Sequence, residues 1–139
     1  EASSAGLTGT FRALLATTTA SAASRFGTTG ATWVRADGIA ITTTAAELFA
    51  AATSAYRVVP NQTANGAYVT ASPRRYLWSG ATSLTATGTA ASTCSDWTSS
   101  SSTVMPQLAE LNTATPSNLF GGIGYLTCAT AQRLMCLQQ

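Results

Sequence analysis

At 139 residues the chain is long enough to bury a core, and a net charge of +2 with only 9% charged residues is too thin for a nucleic-acid footprint. Its seven basic residues are all arginine and histidine is absent, which excludes Ser-His-Asp and Cys-His catalysis and argues against zinc. No run approaches the ~18 consecutive apolar residues of a membrane span.

Length predicts a single domain over residues 1–139. Gly6 and Gly9 punctuate a short helical start. Thr10 to Ala16 reads as a strand or a short helix, too short for periodicity to decide. Thr17 to Ser24 reads as a loop, with one helical turn near Ala22, Ala23 and Arg25. Thr32-Trp33-Val34-Arg35 predicts a strand, Ala36-Asp37-Gly38 a turn, and Ile39-Ala40-Ile41 the returning strand. Thr44 and Glu47 stand at capping-box spacing ahead of a helix over residues 45–52 that would bury Leu48 and Phe49.

Arg57 to Pro60 reads as extended. Asn61 to Gly66 is turn-forming, and Asn65-Gly66 is the strongest hairpin signal in the chain. Tyr68-Val69-Thr70 predicts a strand, Ser72 to Arg75 a surface turn, and Tyr76-Leu77-Trp78 a strand entering the core. Ala81 to Ser92 and Thr98 to Thr103 read as loops, the second exposed and mobile. Val104 to Phe120, with two prolines, reads as irregular, and Gly121 to Gly124 as a flexible turn. Arg133 to Leu137 predicts a closing strand with Cys136 buried in it.

Three cysteines leave two readings: three buried thiols, or a disulfide with one cysteine over. The low charge and abundance of Thr and Ser suit an exported protein and favour the disulfide. Five carboxylates are present, but nothing in the sequence brings a pair such as Asp37 and Asp96 together, so the chain reads as non-catalytic. Trp78 and Trp97 read as core anchors, as does Phe11. Trp33 is a candidate ligand contact, as are Arg74 and Arg75 beside Tyr76, against the plainer reading of a solvated turn. Asn61-Gln62-Thr63 has the form of a glycosylation sequon and reads as a turn.

The run Gly6-Leu7-Thr8-Gly9-Thr10-Phe11-Arg12-Ala13-Leu14-Leu15 resembles one in endostatin, the C-terminal domain of collagens XV and XVIII. Arg35-Ala36-Asp37, Ala46-Glu47-Leu48-Phe49, Leu77-Trp78-Ser79-Gly80, Cys94-Ser95-Asp96-Trp97 and the Cys128/Cys136 spacing follow in the family's order. The wording around Asp96 and Arg133 is more similar to bacterial exported relatives. The resemblance implies an α+β, C-type-lectin-like fold: a twisted, mostly antiparallel sheet with short helices and long loops, stapled by disulfides. It implies pairing of Cys94 with Cys128, and of Cys136 with a cysteine upstream of Glu1, so that the N-terminal strand would be missing. The family's zinc-binding histidines, its dense arginine cluster and the calcium signature of true C-type lectins have no counterpart here, so no metal or cofactor is expected.

Two functions are expected. The first is a secreted or cell-surface module that binds a glycan or protein through its loops. The second is a structural subunit that self-associates in an extracellular fibre or surface layer. Neither involves nucleic acid or a membrane span.

Overall fold

The computed structural model describes residues 2–50, 56–70, 75–121 and 125–139. It is a small α+β arrangement of short antiparallel ladders, single helical turns and one disulfide. Among the described residues four three-residue strands are present: β1 (Phe11–Ala13), β2 (Tyr76–Trp78), β3 (Leu108–Glu110) and β4 (Cys136–Gln138). β1 pairs antiparallel with β4, Arg12 opposite Leu137, and β2 pairs antiparallel with β3, Leu77 opposite Ala109. A parallel bridge between Leu77 and Arg133 joins the two pairs. Backbone bonds from Leu14 N to Met135 O (2.7 Å) and from Ala16 N to Ser79 O (2.9 Å) continue the junction. Within the stretch Thr10 to Ala16, ambiguous as a sequence, Phe11–Ala13 is therefore β, because β4 supplies its ladder partners.

The main core gathers Leu14, Phe26, Leu48, Phe49, Leu119 and Phe120 from four segments, and a smaller cluster holds Val69, Leu77, Ala109 and Leu111. Met135 packs against both. The Thr44/Glu47 capping box forms: Glu47 Oε2 accepts from the Thr43 and Thr44 amides at 2.8 and 3.2 Å. What it caps is one 3₁₀ turn, Ala46–Leu48, with Leu48 and Phe49 buried as expected; residues 51–52 of the expected helix lie outside the described residues.

Several expectations are corrected. The strands expected at 32–35, 39–41 and 68–70 reduce to single bridges, Val34 to Ala40 and Gln62 to Tyr68. Val104 to Phe120 is not wholly irregular, for it holds β3 and the helix Pro116–Phe120. Pro116 is a starter here and not a breaker, since the first helical position needs no amide donor. Thr98 to Thr103 is tied down: Ser101 Oγ accepts from the amides of Thr103 and Val104, and Ser101 O from Ala129 N (3.1 Å). Cys136 is exposed, not buried. The two-residue period of β4 turns Leu137 inward and both its neighbours outward. The Gly122 to Gly124 part of the expected glycine turn lies outside the described residues.

Candidate functional site

Two tight turns meet side by side and carry a polar cluster built on Arg35, Asp37 and Gln62. The first is closed by Gly38 N to Arg35 O (2.9 Å) and needs Gly38 at φ +80°. The second is closed by Gly66 N to Thr63 O (2.9 Å). Asp37, at the tip of the first, receives the Ile39 amide at 3.1 Å and Arg35 Nε at 3.2 Å on one oxygen. Its other oxygen takes Arg35 Nη2 and Gln62 Nε2 (3.1 Å), and the Asp37 amide returns a 3.3 Å bond to Gln62 Oε1. The guanidinium also donates to Val59 O at 3.2 Å and lies 5.5 Å from the centroid of the Tyr68 ring.

The consequence is a rigid, locally neutral platform. The Arg35 side chain is 8% exposed although charged, and every strong bond it makes is internal to the cluster. Arg35 holds the Asp37 carboxyl below its ordinary range, and Asp37 in turn raises Arg35. Tyr68 sits on the guanidinium with 60% of its surface open, and the hairpin that carries Arg35 also exposes Val34 (55%) and Ile39 (46%). An aromatic ring backed by a fixed cation suits flat, uncharged ligand faces. The sequence weighed Asp37 only as half of a carboxylate pair with Asp96, and offered none of Arg35, Gln62 and Tyr68 as a candidate. Both Gly turns were legible, but their contact is tertiary.

The candidates that the sequence did offer are dispersed. Trp33 packs edge-on against Phe26 and Phe49, with ring centroids 6.0 Å away in each case, and its indole donates to Ala45 O at 3.1 Å. It is half-buried and lines a cavity of about 280 Å³ with Gln138 and Gln139. Arg75 stacks on Tyr76 at 5.2 Å and donates to its hydroxyl at 3.1 Å, which raises its pKa. Its Nε lies 2.9 Å from Glu110 Oε1, near enough for an ion pair although the N–H is not aimed for a hydrogen bond. Arg74 lies outside the described residues. Asn61 is only 8% exposed, so the fold buries the sequon's acceptor side chain. Asp37 and Asp96 belong to separate networks. Among the described residues no group of three or more metal-ligating side chains forms.

Cys94 and Cys128 form a disulfide. It pins one helical turn, Cys94–Trp97, whose φ values of +50°, +55°, +52° and +68° make it left-handed. Non-glycine residues rarely occupy this region even singly. The turn is held from outside as well. Thr18 donates its amide and hydroxyl to the two Asp96 oxygens at 2.7 Å each, and these bonds hold the Asp96 carboxyl below its ordinary range. Trp97 donates its indole N–H to Ala16 O at 3.0 Å and packs on Trp78, ring centroids 5.9 Å apart. Both tryptophans are half-buried, and so is Phe11, so these anchors sit at the margin of the core. Strand alternation explains Trp78, because its neighbour Leu77 takes the inward position.

Among the described residues no helix is long and apolar enough to cross a membrane. No protein-family model matches this chain, and no curated protein matches it.

Proposed function

We propose that this chain is a non-catalytic, extracellular binding module on a C-type-lectin-like, endostatin-like scaffold, engaging a glycan or protein through its loops. The observation that carries the reading is Tyr68, 60% exposed, held over Arg35 by a network that leaves no strong charge unpaired. A partner covering such a cluster removes little solvation that is not already replaced by internal bonds. The Cys94–Cys128 disulfide supports an oxidising compartment. The ordered motifs that resemble endostatin, together with the short antiparallel ladders, support the scaffold. Missing histidine and lysine, and carboxylates already engaged by internal donors, support a non-catalytic role.

The test is a glycan and extracellular-protein array probed with the wild type, Tyr68→Ala and Tyr76→Ala. Binding that Tyr68→Ala abolishes and Tyr76→Ala leaves intact is expected. Absence of any bound partner, or equal loss in both variants, overturns the reading. A second reading, a self-associating structural subunit, draws on the apolar groups exposed on the described surface, Met105 (60%), Tyr125 (88%) and Leu134 (48%) among them. Sedimentation of concentrated protein distinguishes it: a concentration-dependent rise in mass favours the subunit.

A further inference from the structure

Arg133 lines a cavity of about 370 Å³, between the turn Ser3–Ala5 and the turn that begins at Thr63. The lining is Ser4, Ala5, Thr63, Ala64, Asn65 and Arg133. The backbone of Arg133 is fixed, since its carbonyl accepts from Trp78 N at 3.1 Å and its residue bridges Leu77. Its side chain is not engaged: among the described residues no ion pair includes it. The neighbouring polar groups are also biased toward donation. Asn65 Oδ1 already accepts from Thr63 Oγ1 at 2.5 Å and faces Ala67 N at 3.5 Å, which leaves the amide nitrogen as the uncommitted end. The Ser4 hydroxyl has no hydrogen bond among the described residues.

The geometry points to an anion site, in which Arg133, Ser4 and Asn65 hold a compact carboxylate of about monosaccharide size. The cavity lies within the range of small-ligand pockets. A single guanidinium fork matches the two oxygens of a carboxylate and balances its one charge, whereas a phosphate dianion would keep one charge uncompensated by the described lining. Ser4 and Asn65 then meet hydroxyl or carboxylate oxygens, and the methyls of Ala5 and Ala64 face the carbon skeleton. Asn65 belongs to the second turn of the Tyr68 platform, but the site does not require that platform to bind anything.

The test is an NMR titration of the full chain with sodium galacturonate, with galactose and inorganic phosphate as comparison ligands. Saturable shifts at Ser4, Asn65 and Arg133 with galacturonate, and none with galactose, are expected. Arg133→Gln should weaken binding by about 10-fold or more, the range of one charge-assisted pair. Asn65→Asp keeps the turn's acceptor oxygen and places a carboxylate beside Arg133, so it should weaken binding comparably even if Arg133→Gln fails to fold. Galacturonate shifts should be confined to the cavity lining and leave the Tyr68 ring resonances unmoved, which separates this site from the platform. Equal response to galactose, tighter binding of phosphate, or unchanged affinity in both pocket variants overturns the inference.

Discussion

Ser95→Gly should stabilise this protein or leave it unchanged, the reverse of what glycine does in an ordinary helix. Ser95 sits at φ 55°, ψ 57° in the left-handed turn, exposed, with a hydroxyl that makes no hydrogen bond among the described residues. An L-residue there carries about 1–2 kcal/mol of steric cost, which glycine removes. Glycine's greater freedom in the unfolded chain costs about 0.5–1 kcal/mol in return. The net lies between about zero and 1.5 kcal/mol of stabilisation. Ser117→Gly, exposed in the helix Pro116–Phe120, is the control and should destabilise by about 0.5–1 kcal/mol. Urea unfolding of the oxidised protein measures both, read as a midpoint change at constant m. In thermal unfolding 1 kcal/mol corresponds to roughly 3–4 °C for this chain length. A loss of about 1 kcal/mol for Ser95→Gly, matching the control, refutes the left-handed turn.

Gly80→Ala should cost about 2–4 kcal/mol, since Gly80 has φ +81° and an added Cβ would stand 2.8 Å from both Ala16 O and Trp97 Cζ2; wild-type urea stability would count against the packing there. The Thr18 bonds hold the Asp96 carboxyl below its ordinary range, so the stability it contributes is present above the unfolded carboxyl's pKa and lost as pH falls through the lower folded one. Midpoints measured from pH 6 to 2 should therefore fall less steeply below about pH 4 in Asp96→Asn than in wild type, and parallel curves would refute the Thr18 contact. Burial pushes the Tyr56 hydroxyl up to about 12, so the stability linked to it is present below pH 10 and lost between there and 12. Absorbance at alkaline pH should show one tyrosine titrating last, absent in Tyr56→Phe, a variant that also loses the 3.0 Å bond to Leu48 O at about 1–2 kcal/mol.

Local chemistry was readable where one or two residues decide it. Asp37-Gly38 and Asn65-Gly66 announced their turns, and Thr44 with Glu47 announced a cap. The short strand at Tyr76–Trp78 followed from β-propensity, and its alternation set Leu77 inward. Strand lengths elsewhere were overread, because propensity at residues 32–35 and 68–70 says nothing about whether a ladder partner runs alongside. β3 carries two small or acidic residues in three, too little signal to separate it from a loop. The left-handed turn was hidden altogether: Cys94-Ser95-Asp96-Trp97 contains neither glycine nor asparagine, and its backbone is dictated by Cys128, Thr18 and Ala16, distant in the chain. The Arg35–Tyr68 platform was invisible for the same reason, since 33 residues separate its two rings of charge and carbon.

The composition explains how so little regular structure can still present a fixed surface. Strands of three residues leave most backbone groups outside any ladder, and buried ones must be satisfied elsewhere. Here the abundant hydroxyls take up that role. Thr17 Oγ1 accepts from Ala20 N at 2.9 Å, Thr93 Oγ1 accepts from Asp96 N at 3.0 Å, and Ser92 Oγ donates to Gly80 O at 2.6 Å. Thr32 Oγ1 donates to Thr42 O at 2.8 Å. Such bonds compete with helices and sheets, so a chain rich in Ser and Thr is driven toward turns in which each hydroxyl closes a local loop. Turns so closed can be long in sequence and narrow in conformation. That is what a loop-borne site requires, because under the proposed reading Arg35 and Tyr68 would bind a partner only as well as their backbones are held before it arrives. The low charge belongs to the same design: hydroxyls supply the polar bonds that charged groups would otherwise make, and arginines such as Arg35 and Arg75 lie over tyrosine rings.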